Sequence, residues 1–348
     1  MHVDIAIVGA GPAGLCLARA LSGHGLSILL IERQARAALA EPAEDGREIA
    51  LTHASRSQLQ LLDIWPRLAA RDIAPLRDAQ VLNGPSLFAL RIDAGLAGAG
   101  QLGHLVPNQA IRRAAFAAVE DCADVTLLDG HALQSVRVTG ERARLTLDDG
   151  EQLTAGLLVA ADSRFSETRR MLGIGARMED FGKTMLVCRM AHAKPHQQVA
   201  WEWFGYGQTL ALLPLNGDVS SVVLTLPQHE MNPMLALDEA AFARDIERRF
   251  ESRLGSMALL GPRHCYPLVG VYADRFAGPR CALLGDAAVG MHPVTAHGFN
   301  FGLQSARRLA AELLAAKRKG SDWGAAGPCA ATPWRTAWRP GRCTRPPA

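Results

Sequence analysis

The chain has 348 residues, 49% of them hydrophobic and 20% charged, which is long enough for two substructures with their own cores. A net charge of +3 is too small to point to nucleic acid, and the seven cysteines are scattered, odd in number and without C-x-x-C spacing, which argues against a disulfide framework or zinc site and favours free thiols in a reducing compartment. No basic leader precedes the first strand, and no apolar run reaches the ~18 residues of a membrane span, so a cytoplasmic protein is expected.

His2–Val8 reads as a buried strand, Pro12–His24 as a helix apolar on one face, and Leu26–Ile31 as a second buried strand ending at Glu32: a βαβ opening. Ala35–Arg47 reads as a loop. His53–Leu62 and Asn108–Val119 have helical spacing, the second with its start signal just after Pro107. From Val125 to Val159 the pattern turns to short strands, with Asp149-Gly150 as a hairpin turn, and Leu157–Ala161 runs into Asp162. Thr184–Ala191, Val199–Phe204, Thr209–Leu213 and Val219–Leu226 read as consecutive strands of an antiparallel sheet, followed by an amphipathic helix over Leu237–Leu254. Arg280–Leu284 is another buried strand, and a helix covers Gly298–Lys317.

These separations predict an α/β chain, α+β overall. A discontinuous Rossmann-like domain spans 1–172 and 267–317, with some strands of the other domain interleaved. A mostly antiparallel sheet domain, 173–266, is inserted and carries much of a substrate cavity. Residues 318–348 form an irregular tail. From Lys319 onward the chain has five prolines, three of the six tryptophans, four arginines and one acid, with no periodicity. A disordered basic tail and a membrane-surface anchor are two readings. A third is translation out of frame: GC-rich back-translation of Pro328–Thr344, shifted in frame, permits LRRYAMAHRLATRPLY, which has helical spacing.

Three strings carry the chemistry. Gly9-Ala10-Gly11-Pro12-Ala13-Gly14 follows a strand and opens a helix, the context in which G-x-G-x-x-G seats a pyrophosphate on backbone N–H groups at a helix N-terminus. Glu32, at the end of the second strand with Arg33 beside it, is placed to accept ribose hydroxyls. Ala161-Asp162-Ser163-Arg164 ends a further strand, and a protein binding only NAD has no need of it. Gly285-Asp286-Ala287-Ala288 ends another in an acid suited to a ribityl hydroxyl, followed by His292-Pro293 and Gly298-Phe299-Asn300 at a helix start that favours negative charge on a reduced flavin. Together the strings describe one FAD bound from both ends of the chain. Neither a catalytic triad nor a metal-ligand cluster emerges.

The three strings resemble the single-component aromatic hydroxylases with one FAD, the fold of para-hydroxybenzoate hydroxylase, over about residues 1–317. Within that group, H-P-V-T-A-H-G-F-N-F-G and A-D-S-R-F-S-E-T-R-R are most similar to the ubiquinone-biosynthesis hydroxylases acting on 5-demethoxyubiquinol, and the out-of-frame string resembles their endings. The resemblance implies that Gly9, Gly11, Gly14 and Glu32 hold the ADP half of FAD, and that Arg47 and Arg112 contact the pyrophosphate or ribityl region. It further implies that Asp162 touches FAD and the path of NAD(P)H, that Gly285 and Asp286 meet the ribityl chain, and that Pro293, Gly298 and Asn300 pack near the ring. NADH or NADPH would reduce the flavin and O2 would add, so that an aromatic ring is hydroxylated through a C4a-hydroperoxyflavin. His292 and His297 are candidates for assisting a phenol proton or hydrogen-bonding the flavin, against the reading of ordinary core or surface histidines, with His53 and Tyr206 weaker. The Trp201, Trp203, Phe204 cluster either lines the cavity with one face or packs within the sheet. A prenylated quinol substrate would bring peripheral membrane contact or association with other ubiquinone-biosynthesis proteins. Ser163 stands where the group has Gly, Val289 where His is common, and Ala296-His297 where Gly-Gln is common. A non-catalytic flavin-binding remnant and a related FAD reductase are the alternatives; a halogenase is disfavoured by the lack of W-x-W-x-I-P.

Overall fold

A computed structural model describes residues 1–86, 88–95, 100–291, 298–322 and 324. His292, Pro293 and His297, and the tail residues on which the frame-shifted reading falls, lie outside the described residues.

The βαβ opening forms because its strands are apolar on both faces. His2–Val8 pairs in parallel with Ile28–Glu32, with the helix Pro12–Leu21 crossing between them. Around this pair a parallel core runs in the order Cys281–Leu283, Gln152–Ala160, His2–Val8, Ile28–Glu32, Val125–Asp129. Pro12–Leu21, Asn108–Glu120 and Gly298–Arg318 cover one face, burying Leu15, Phe116 and Leu303 among the strand residues Ile5, Ile7 and Leu30. The hairpin Leu133–Val138 and Ala143–Leu147 covers the other face with Leu145 and Leu147. Each such side chain contributes roughly 2 kcal/mol on leaving water.

The second sheet is mostly antiparallel. Its order is Val289–Gly290, Met257–Ala273, Ala176–His192, Val219–Pro227, Thr209–Pro214, Val199–Phe204, Asp78–Asn83, Ala89–Ile92. Alternation gives it two distinct faces. Leu186, Leu210, Leu224 and Trp203 point outward into a core with Phe242, Ile246 and Phe250 of the helix Glu239–Arg249. Met185, Val187 and Val223 point inward, toward the parallel domain. Beside that inner face lies a three-stranded sheet of Glu48–Thr52, Gly103–Pro107 and Ala74–Leu76.

Two elements differ from expectation, and one strand lies where no element was expected. Met257–Ala273 is one 17-residue strand that runs through Gly261, Pro262, Pro267 and Gly270. Register shifts opposite Asp180/Thr184 and Val187/Arg189 absorb them. The helix expected over Leu237–Leu254 is Glu239–Arg249, preceded by a separate Gln228–Ala236, because the Asp238 carboxylate accepts from Ala241 N at 2.7 Å and starts a new helix. The loop Ala35–Arg47 contains a short helix, Arg36–Ala40. The five described cysteines are all free.

Candidate cofactor and substrate site

The three strings meet at one edge. Leu283 pairs with Ala160, Ala160 with Val8, and Val8 with Ile31. The strands therefore end side by side and deliver Gly285, Ala161, Gly9 and Glu32 to the carboxyl edge of the parallel sheet, where such folds bind ligands. The ladder continues past the strands, with Gly9 N donating to Ile31 O at 2.8 Å, Ala161 N to Val8 O at 2.8 Å and Leu284 N to Ala160 O at 2.8 Å.

Two glycines are dictated by this closeness. Gly9 has φ +106°, and a Cβ there would lie 2.5 Å from Ala161 O. A Cβ on Gly14 would lie 2.1 Å from Gly9 O, so the helix could not approach the turn. Beyond them the site opens. Nothing lies within 4 Å of a Cβ on Gly11, and the helix begun there has no side-chain cap, so side chains leave its first N–H groups free for an anion. The Glu32 carboxylate bounds this space, accepting from Ala10 N at 2.7 Å and Gln34 N at 3.0 Å.

Charged groups from distant strings converge on the same edge. Asp286 Oδ2 lies 3.4 Å from Arg164 Nη2. Arg47 is held by Asp45, with Nη2 2.6 Å from Oδ2, and its guanidinium stands over the Tyr266 ring at 5.6 Å. Burial works to lower the Arg47 pKa, but the hydrogen bond and charge of Asp45, then Tyr266 and Asp286, hold it above its usual range. Burial works to raise Asp45, yet Arg47 and the Asn108 amide at 2.7 Å hold it below the usual carboxylate range. Arg112 Nη2 donates to Gln34 Oε1 at 3.2 Å. Asn300, at the start of the helix Gly298–Arg318, donates to Ala50 O at 2.8 Å and accepts from Thr52 N at 3.3 Å, tying that helix to the strand after Arg47. Between them a cleft is lined by Gly285, Ala288, Val289, Met291, Gly298 and Phe301.

Other candidates lie elsewhere or serve locally. Asp162 accepts from Ser166 Oγ at 2.5 Å and Thr168 N at 3.1 Å, organising the start of Glu167–Met171. Arg33 pairs with Glu167 at 3.2 Å on the surface. His53 Nε2 is 2.8 Å from Gln101 O, and Tyr206 is 89% exposed. Trp203 is buried on the outer face with Trp201 packed beside it, while Phe204 points inward. Ser163, at the position occupied by Gly in the resembled hydroxylases, has φ +121°, a conformation that costs an L side chain about 1–2 kcal/mol.

The sequence reading missed several groups. Asp45, Tyr266 and the pair Arg189–Glu48, with Nη2 2.7 Å from Oε1, join the sheets. Tyr266 Oη donates to Asp45 O at 2.6 Å. No local pattern marks them, because each becomes significant only through pairing across sheets.

The residues present fit FAD: a glycine cradle with open helix N–H groups, a carboxylate at the next strand end, arginines at the same edge, and an acid beside an apolar cleft. The fold and site define a flavoprotein oxidoreductase. The chain belongs to the FAD-binding monooxygenases: the family model described as FAD binding domain matches residues 2–325. It is 47% identical over 329 residues to the ubiquinone hydroxylase UbiM of Neisseria meningitidis, covering 93% of this chain and 71% of that protein. It is 36% identical over 322 residues to the ubiquinone hydroxylase UbiL of Rhodospirillum rubrum, covering 92% and 75%. Among solved structures, PqsL of P. aeruginosa in complex with 2-aminobenzoylacetate superposes with TM-score 0.81 at 21% identity, covering 95% of this chain and 91% of that one, and so shares the fold. FAD is the cofactor, and NAD(P)H is the electron donor typical of the family.

Proposed function

We propose that this protein hydroxylates the aromatic ring of a ubiquinone precursor, a demethoxyubiquinol-type quinol, using FAD, O2 and NAD(P)H. The observation that carries this is the convergence of three strings on one sheet edge in a chain 47% identical to a ubiquinone hydroxylase. The relatives also include the 3-demethoxyubiquinol 3-hydroxylase of Escherichia coli, 28% identical over 321 residues.

In this reading Gly9, Gly11 and Gly14 admit the pyrophosphate to the helix start, and Glu32 binds the adenosine ribose. Arg47 and Arg112 offset diphosphate charge, Arg33 borders the adenosine end, and Gly285 and Asp286 hold the ribityl chain. Gly298 and Asn300 set the helix whose N-terminus faces the ring, with Pro293 and the histidines His292 and His297 assigned to the adjoining segment. Asp162 shapes the turn between dinucleotide and donor path. FAD, when bound, supplies the electron transfer and oxygen chemistry. The protein orients the substrate ring and excludes water.

The division into a cofactor domain, 1–172 with 267–317, and a substrate domain, 173–266, follows the same reading. A prenylated substrate gives a reason for peripheral membrane contact. No helix among the described residues is long and apolar enough to cross a membrane. The test is incubation of the FAD-loaded chain with NAD(P)H, O2 and a short-chain demethoxyubiquinol. A hydroxylated quinol formed in proportion to NAD(P)H consumed supports the assignment; quinol-independent NAD(P)H oxidation without product rejects it.

A further inference from the structure

The second sheet ends on one side in a strand whose outer edge is open. Ala89–Ile92 pairs with Asp78–Asn83 along one edge, in unbroken antiparallel register, and its far edge meets no other described strand. Such an edge holds out a row of backbone N–H and C=O groups, and native chains blunt it with very short strands, prolines or charges. Other edges in this protein follow that rule. Ala277–Gly278 and Val289–Gly290 are two residues long, and Ala74–Leu76 carries Pro75. Ala89–Ile92 departs from it: Leu90 is 55% and Ile92 46% exposed, and Phe88, just before the strand, is 75% exposed.

Cross-strand pairing sets Leu90 in one row with Val81, Glu202, Ala211 and Val223, which is the inner face. Ile92 shares that face and Arg91 stands on the outer one. Phe204 and Tyr206 extend the exposed apolar surface; a Cβ on Gly84, in the turn before Ala89, would lie 2.8 Å from the Tyr206 ring. These five side chains offer roughly 600 Å² per copy, about 1,200 Å² for two, the lower end of the size range for specific interfaces. A lipid bilayer would leave the edge N–H and C=O groups without partners, and open sheet edges do not occur in hydrocarbon. A second copy of the strand supplies those partners. Antiparallel pairing about a two-fold axis at Leu90 sets Leu90 against Leu90 of the other copy, Ile92 against Phe88, and Arg91 against Ala89. An axis at Arg91 would instead set two guanidiniums face to face, which like-charge repulsion disfavours.

We infer that Ala89–Ile92 pairs with the same strand of a second copy, antiparallel about a two-fold axis at Leu90, so that two second sheets become one continuous sheet. Phe88, Leu90 and Ile92 leave water on pairing, and the far-edge backbone groups gain hydrogen bonds. Arg91 stays on the outer face with no like charge opposite it. Because the contact is small, the dimer forms in a concentration-dependent way. Directly opposed residues have Cα atoms about 4.5–5.5 Å apart, within reach of a disulfide, so the axis itself can be read by cross-linking.

The FAD-loaded chain is followed by sedimentation velocity over roughly 1–200 µM, where wild type should pass from monomer to dimer. Leu90→Lys should raise the dimer dissociation constant roughly 100-fold, because two ammonium groups then face each other across the axis. Under a mild oxidant Leu90→Cys should give a disulfide-linked dimer, and Arg91→Cys, whose counterpart is Ala89, should not. Wild type sets the background, since native Cys265 is exposed. Circular dichroism checks folding in each variant. A wild type that stays monomeric throughout, or a Leu90→Lys variant that dimerises as wild type does, overturns the inference. A monomer that floats with phosphatidylcholine vesicles also overturns it and assigns the surface to a bilayer. Cross-linking of Arg91→Cys in place of Leu90→Cys overturns the axis at Leu90.

Discussion

Arg164 and Asp286 are 122 residues apart in the chain, yet their side chains meet at 3.4 Å, joining the second of the three strings to the third. Both are partly exposed, so the pair itself is worth little to stability, about 0–1 kcal/mol. Its consequence lies in orientation, because Arg164 also donates to Val269 O at 3.2 Å and so fixes the Asp286 carboxylate against the second sheet. Arg164→Gln should therefore weaken FAD binding while shifting the melting temperature of the FAD-free protein only slightly. Fluorescence titration of that protein with FAD checks the first part and a thermal melt the second.

Ser163 at φ +121° carries strain that Gly would not. Ser163→Gly should stabilise the fold by roughly 0.5–1 kcal/mol, the relief of strain less the added freedom of the unfolded chain. A urea unfolding midpoint that does not rise would show that the Ser163 hydroxyl supplies a compensating contact.

The Gly14 contact allows no such tolerance. With Gly9 O at 2.1 Å from the position of a Cβ, Gly14→Ala must push the helix Pro12–Leu21 off the sheet. Loss of flavin absorbance and a destabilisation of about 2 kcal/mol or more are expected, the size of an overpacked core.

Glu48 is held by Arg189, and its side chain is fully buried, with Oε2 lacking a partner. Burial raises its pKa against the opposing charge of Arg189. Removing the arginine strands the carboxylate, so Arg189→Met should destabilise by about 3–5 kcal/mol at neutral pH. Combining it with Glu48→Gln should recover much of that loss, which a double-mutant cycle in urea would measure.

Glu202 makes stability depend on pH. Its carboxyl is pushed from 4.5 up to about 7 in the fold. Below pH 4.5 it is protonated both folded and unfolded, and the difference is nil. Between 4.5 and about 7 the unfolded chain ionises while the fold keeps the carboxyl protonated, so stability falls across this window by up to about 3 kcal/mol and levels off above it. Relative to wild type, Glu202→Gln should be equally stable below pH 4.5 and increasingly more stable from 4.5 to about 7, with a constant difference above that, read from melting temperatures across pH.

Much of this was legible in the sequence where local rules act alone. His2–Val8 and Val199–Phe204 begin and end where alternation and apolar runs place them. Gly9, Gly14 and Asp286 are readable because turn geometry and strand ends fix the residue types. What escaped depends on distant partners. Met257–Ala273 hides its strand character behind prolines that bulged pairing accommodates, and Glu202 looks like any polar residue on an alternating strand until the register shows which face it occupies.

The central claim is ring hydroxylation with molecular oxygen, and the direct test is turnover of a short-chain demethoxyubiquinol under oxygen-18 gas with NAD(P)H, followed by mass spectrometry of the quinol. The account predicts one labelled oxygen on the ring of each product molecule. Product carrying only solvent oxygen, or labelled hydrogen peroxide with the quinol unchanged, would contradict it.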